Sequence, residues 1–211
     1  MPLKCLISFV LMNKLFLAIA LALLLLTNCS AQDLWDDDSL KSQKVFTSLT
    51  EALLTPDSVF RLDLSKQKLT EIPETVFKLK NLRELKANKN KITEIPAAIS
   101  MLIYLQVLSL ENNKLKTIPT QIGVLKNLKY LNLNRNIIQA IPPEIGQLFN
   151  LEYLELWDNE IGEIADEIRF CSSLKILELR GILFSEEQQK HIHDILPYTK
   201  VYFSPSCNCK N

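Results

Sequence analysis

Between Val59 and Phe184 the chain repeats one hydrophobic pattern every 23 residues, six times over. Numbering each repeat from its first apolar residue puts Val59, Leu82, Leu105, Leu128, Leu151 and Leu174 at position one. Leu62, Leu85, Leu108, Leu131, Leu154 and Leu177 then fall at position four. Position six carries Leu64, Ala87, Leu110, Leu133, Leu156 and Leu179, and position fourteen carries Ile72, Ile95, Ile118, Ile141 and Ile164. Alternation from four to six places two apolar side chains on one face of a short strand, and strands one period apart can pair in parallel at about 4.8 Å. No single repeat can bury that face alone, so the period predicts a stack of supersecondary units with one continuous core.

Position nine is polar inside this apolar spacing: Gln67, Asn90, Asn113, Asn136, Asn159, Ile182. An unpaired buried amide costs about 1–3 kcal/mol, so Asn90, Asn113, Asn136 and Asn159 are expected to form a structural ladder, bonded to backbone groups of their own turn and of the neighbouring repeat. Gln67 and Ile182 fall at the two ends, where one neighbour is missing. Pro73, Pro96, Pro119 and Pro142 follow the position-fourteen isoleucine, fixing φ and withholding a donor, and Ala165 interrupts the series. Val76, Ile99, Ile122, Ile145 and Ile168 precede Leu79, Leu102, Leu125, Leu148 and Cys171 by three residues. That spacing predicts a short helical or 3-10 turn in each repeat.

Written out, the repeat is L-x-x-L-x-L-x-x-N-x-L-x-x-I-P-x-x-I-x-x-L, which resembles the typical leucine-rich repeat over residues 59–184. The resemblance implies an α/β leucine-rich repeat solenoid, curved, with a parallel β-sheet on its concave face and short helical or 3-10 turns on its convex face. Helical caps are expected at both ends. Resemblance to exported bacterial members of this family also implies recognition of another protein.

The two ends add an address. Residues 15–26 are unbroken apolar positions behind Asn13 and Lys14, which is the core of a signal peptide and shorter than the ~20 residues of a spanning helix. Residues 1–31 are read as that leader, with Met12 as a candidate true start. Leu26-Thr27-Asn28-Cys29 resembles a lipobox, which makes Cys29 a candidate lipidation site; Cys29-Ser30-Ala31 resembles an ordinary signal-peptidase site. Both routes stay open, as does an uncleaved anchor. Either cleavage route implies export, to the cell envelope on a lipid anchor or in secreted form.

Residues 32–58 read as an acidic tether and N-terminal cap. Asp36, Asp37 and Asp38 lack the glycine and ligand spacing of a calcium loop, which favours a solvated tether. Val45, Phe46, Leu49, Leu53 and Leu54 predict one helix over the open end of the first repeat. Residues 185–211 read as a C-terminal cap: Ser185 and Gln188 form a capping box, Pro197 stops the helix, and Val201-Tyr202-Phe203 is a candidate last strand.

Charge and chemistry narrow the function. Lysine plus arginine and aspartate plus glutamate each number 24; losing Lys4 and Lys14 with the leader leaves 22 against 24, so no positive excess attracts nucleic acid. Four glycines form no phosphate loop, and no Ser-His-Asp or Cys-His grouping stands out, so neither catalysis nor a cofactor is expected. His191 and His193 sit two apart on the predicted helix and point about 200° from each other, which argues against a metal site. Cys171 occupies a leucine position and is expected as a buried thiol. Cys207 and Cys209 would bridge each other only with strain, so a bond to Cys171, an intermolecular bond and free thiols all stay open.

In a stacked sheet, residues one period apart stand side by side. Repeats three to six thereby bring Val107, Tyr130, Tyr153, Trp157 and Ile176 together beside Glu155, Glu178 and Arg180. An apolar cluster rimmed by charge marks a partner surface, and Tyr, Trp and Arg dominate binding hot spots. The plainer reading is cross-strand packing. The favoured ligand is a protein. A glycan stacking on the aromatic rings, with Asn132, Asn134 and Glu155 as hydrogen-bonding groups, is the alternative, and a targeting subunit of an enzyme complex is a third. Asn88, Glu111 and Asn134 read as solubilising residues, so Asn113→Ala is expected to destabilise and Asn88→Ala to be nearly silent.

Overall fold

The computed structural model describes residues 36–204. The leader, Cys29, Cys207 and Cys209 lie outside the described residues. Six strands carry the repeat register: β2 (Arg61–Asp63), β3 (Glu84–Lys86), β4 (Val107–Ser109), β5 (Tyr130–Asn132), β7 (Tyr153–Glu155) and β9 (Ile176–Leu179). All pair in parallel with their repeat neighbours, and the pairing is one to one along Arg61, Glu84, Val107, Tyr130, Tyr153 and Ile176. A one-residue slip would turn every position-four and position-six leucine to the open face, which is why the register holds. Leu85, Leu108, Leu131 and Leu154 are fully buried, as are the leucines at position one of repeats two to five. Each such side chain contributes roughly 1.5–3 kcal/mol of burial.

Opposite the sheet, five 3-10 turns follow at Glu74–Lys78, Ala97–Met101, Thr120–Val124, Pro143–Gln147 and Asp166–Phe170. Their N-cap residues are Pro73, Pro96, Pro119, Pro142 and Ala165. Ala165 reaches φ −65° without the ring, so proline here biases a conformation that the stack itself imposes. Beside these turns β6 (Ala140–Ile141) pairs with β8 (Glu163–Ile164) as a separate two-stranded sheet.

The position-nine amides are bonded on both sides. Asn136 Oδ1 accepts from the Leu115 amide at 3.0 Å, while Nδ2 donates to the carbonyls of Leu110 at 3.1 Å and Leu133 at 2.9 Å. Asn90, Asn113 and Asn159 make the equivalent set of bonds in their own repeats. Each joins the turn it begins to the repeat before it.

The N-terminal cap differs from the single predicted helix. Val45–Phe46 is a strand, β1, paired in parallel with β2, and only Leu49–Ala52 is helical, capped by Ser48. The free edge of β2 offers unpaired backbone groups, and strand pairing satisfies them where a helix could not. The stretch read as a tether also contains a short helix, α1 (Asp37–Lys41), whose Leu40 is buried. At the other end, Ser185 and Gln188 complete a reciprocal capping box on the helix Glu186–Ile195, and β10 (Lys200–Phe203) pairs with β9 as the last strand.

Candidate functional site

The open face of the sheet divides in two. In repeats one and two it is ionic: Arg61 Nη2 holds both oxygens of the buried Glu84 carboxylate at 3.0 and 3.2 Å, and Lys86 Nζ adds a contact at 3.1 Å. From repeat three onward it is aromatic and aliphatic. Val107, Tyr130, Tyr153 and Ile176 stand in one column, and the rings of Tyr130 and Tyr153 lie 6.1 Å apart, tilted by 49°. All four, with Trp157 and Glu155, are half-buried rather than standing clear in solvent; Glu178 is buried and Arg180 exposed. Side chains on a sheet this tightly stacked shield one another.

A second hydrogen-bonding ladder runs beneath this surface. Asn88 Oδ1 accepts from Ser109 Oγ and from the Glu111 amide, both at 2.8 Å. Asn134 Oδ1 accepts from the Trp157 amide at 2.7 Å, and its Nδ2 donates to Glu155 at 2.9 Å. Asn132 Oδ1 in turn accepts from the Asn134 amide at 3.0 Å. Asn88 and Asn134 are therefore structural, not merely solubilising. They complete backbone amides that the strand ends leave open.

The electrostatics follow from this packing. Burial, then the adjacent Glu155 carboxylate, raises the Tyr130 phenol, which stays protonated. Burial by itself pushes the Glu178 carboxyl up, but the Arg180 guanidinium and amide outweigh it and hold the group below its ordinary value. Those bonds are Arg180 Nη2 to Oε2 at 2.6 Å, Nε to Oε1 at 2.8 Å and the Arg180 amide to Oε1 at 3.0 Å. The Lys175 ammonium pairs with Glu152 and lies 6.0 Å from the Tyr153 ring centre. Arg135 stacks over Trp157 at 4.3 Å.

Two neighbours of the patch were not legible in the repeat pattern. β10 extends the columns, placing Lys200 beside Ile176 and Tyr202 beside Glu178, with the Arg180 guanidinium 5.5 Å from the Tyr202 ring. At the other side α1 leans on the same face: Arg61 Nη1 donates to the Lys41 carbonyl at 3.0 Å, and Asp37 approaches Lys129 at 3.7 Å. Leu40, Val107, Tyr130 and Tyr153 line a shared cavity of about 170 Å³.

Elsewhere, His191 Nε2 meets Asp166 Oδ1 at 2.8 Å while His193 packs edge-on against Phe203, so the two rings point apart. Among the described residues no group of three or more potential ligands could hold a metal ion, and no helix is long and apolar enough to cross a membrane. Cys171 is a free buried thiol that donates to the Ile145 carbonyl at 3.1 Å, and burial pushes it up to about 12.

The family model described as leucine-rich repeat region matches residues 58–197. No curated protein matches the chain. Among solved structures it is similar to a leucine-rich repeat protein of Leptospira interrogans, with 34% identity and a TM-score of 0.62 over 77% of this chain and 49% of that one. An internalin from Listeria monocytogenes shares the fold at 22% identity and a TM-score of 0.61, over 70% of this chain and 42% of the other. The ectodomain of the Arabidopsis thaliana receptor kinase GASSHO1/SCHENGEN3, solved in complex with CASPARIAN STRIP INTEGRITY FACTOR 2, aligns at 25% identity and a TM-score of 0.53 over 68% of this chain and 21% of that one. The chain thus spans about half the length of the Leptospira protein and less of the other two. On the family match across more than half of its residues, the repeat register and the parallel sheet, the chain belongs to the leucine-rich repeat family.

Proposed function

We propose that the protein is a non-enzymatic recognition module, exported to the cell envelope or beyond it, that binds a protein partner on the open face of its sheet. The observation that carries this reading is the column of Val107, Tyr130, Tyr153 and Ile176, with Trp157 beside it. Its polar neighbours are already satisfied internally: Glu178 by Arg180, and Glu155 by Asn134. A partner covering the patch then gains apolar contact without stranding a buried charge. Support also comes from the receptor ectodomain of the same fold, which was solved in complex with CASPARIAN STRIP INTEGRITY FACTOR 2.

The test is affinity capture from native envelope and surroundings, comparing the mature protein with a Tyr130→Ala/Tyr153→Ala/Trp157→Ala variant of matched thermal midpoint. Loss of a protein partner with the variant is the expected result. Identical captures would sink the assignment. Protease-resistant capture that is lost with the same variant would move the reading of this face to a glycan.

A further inference from the structure

We infer that the edge of the solenoid where the strands turn away from the sheet, in repeats one to four, binds a linear anionic polysaccharide. Position eight carries Lys66, Lys89 and Arg135, and position ten carries Lys68, Lys91 and Lys114; Lys116 adds a seventh cation. All seven are exposed. Among the described residues none of the six lysine ammonium groups has an ion-pair partner, and Arg135 is engaged only with the Trp157 ring. Glu71 and Glu94 line a separate groove between the first 3-10 turns, with Lys78 and Lys80, and Glu111, whose carbonyl accepts from the Lys89 amide, is the acidic residue beside the cations.

Hydrogen bonding fixes the spacing of these charges. The Lys66 amide donates to Asn88, Lys89 to Glu111 and Arg135 to Trp157, while Lys91 donates to Leu69 and Lys114 to Ile92. The turns are thus stacked at the strand interval of about 4.8 Å, and the cations form two short rows, position ten over repeats one to three and position eight over repeats one, two and four, with Asn112 between Lys89 and Arg135. Like charges held this closely repel, so the stack tolerates a penalty that a ligand of opposite sign would remove. The backbone adds to it: Lys66, Lys68, Lys89 and Arg135 all have φ between 56° and 62°, a conformation that favours Asn, Asp or Gly. In the later repeats position eight does hold Asp158 and Gly181, while position ten holds Ile137 and then Glu160, so the position-ten row ends at repeat three and the position-eight row at repeat four.

The chemistry selects among anions. Lysine acts as a point charge suited to sulfates or carboxylates strung along a chain, and less to planar bidentate recognition. No exposed large hydrophobic residue lies on this edge, which disfavours insertion into lipid, and no aromatic interleaves the lysines as base stacking would need. Trp157 holds the last cation of the row in place, with the Arg135 guanidinium 4.3 Å from its ring centre.

The test is calorimetric titration with a sulfated heparin-type decasaccharide and its desulfated counterpart, at about 0.05 and 0.15 M salt. Binding that needs the sulfates and weakens with salt is expected, with a loss of at least about tenfold in Lys68→Glu/Lys91→Glu/Lys114→Glu and in the matching Gln variant, both checked for an unchanged fold. Tyr130→Ala/Tyr153→Ala should keep the interaction, and the lysine variants should keep any protein partner of the sheet face. Absence of binding, equal binding by the lysine variants, loss with the tyrosine variant, or equal affinity for single-stranded DNA or anionic vesicles would each overturn the proposal.

Discussion

Asn134 and Trp157, 23 residues apart in sequence, are joined by a 2.7 Å hydrogen bond from the Trp157 amide to the Asn134 side chain. The same side chain holds Glu155, so one buried amide positions both the ring and the carboxylate of the candidate partner surface. Asn134→Ala should therefore destabilise by about 1–3 kcal/mol and also weaken partner capture. Asn134→Asp keeps the acceptor for the Trp157 amide but loses the donor to Glu155 and sets a second carboxylate against it, so at neutral pH it should destabilise while leaving the tryptophan in place. Thermal unfolding and tryptophan fluorescence measure the two effects.

Asn113→Ala and Asn88→Ala should both destabilise. Asn113 leaves the Ala87 and Leu110 carbonyls and the Ile92 amide without their partner, and Asn88 leaves the Glu111 amide and Ser109 hydroxyl. Losses of about 1–3 kcal/mol are expected for the first and about 1 kcal/mol for the second, which has fewer bonds to lose. A wild-type denaturation midpoint for Asn88→Ala would show that water replaces its bonds without cost.

Gly146→Ala should be among the most damaging conservative changes. A Cβ at Gly146 would stand 2.1 Å from the Glu167 carbonyl oxygen of the next 3-10 turn. The turns must separate to admit it, at a cost of about 1–3 kcal/mol or more. Urea unfolding monitored by circular dichroism gives the difference directly.

Arg180→Ala removes the group that outweighs burial at Glu178. In the native protein this depressed carboxyl contributes stability that is fully present above the ordinary carboxylate range and is lost as pH falls through its lowered value. Without the guanidinium, burial is opposed only by the residue-180 amide, so the carboxyl moves up from its lowered value. The variant should then be less stable at neutral pH and show a smaller acid-side loss, its stability approaching that of the native protein as pH falls, and superimposable pH profiles would refute this account of Glu178.

Cys171 should resist thiol reagents in the native state and react on unfolding. Its thiol is raised to about 12, so its contribution to stability is present at neutral pH and fades as pH rises from the ordinary thiol range toward that value. Native and denatured labelling followed by mass spectrometry distinguishes Cys171 from Cys207 and Cys209.

Much of this architecture was legible because a 23-residue period constrains every repeat by its neighbours. Leu62, Leu85 and Leu108 could be buried together in only one register, and that register put Val107, Tyr130, Tyr153 and Ile176 in a column. The period had nothing to say beyond its own ends. Val45 and Phe46 looked helical because short apolar runs fit either element, and the open edge of β2 decided for a strand. Asn88 and Asn134 looked like surface polarity because their acceptors are backbone amides one repeat away, which no local pattern records.

The sequence by itself determined the repeat class, the strand register, the position-nine amides and the composition of the open face, because each follows from side-chain periodicity. Only the tertiary structure decided how exposed that face is, that α1 leans on it through Leu40, and that Arg180 neutralises Glu178. Those outcomes depend on distances between residues that periodicity does not relate, set by how the two ends of the stack close.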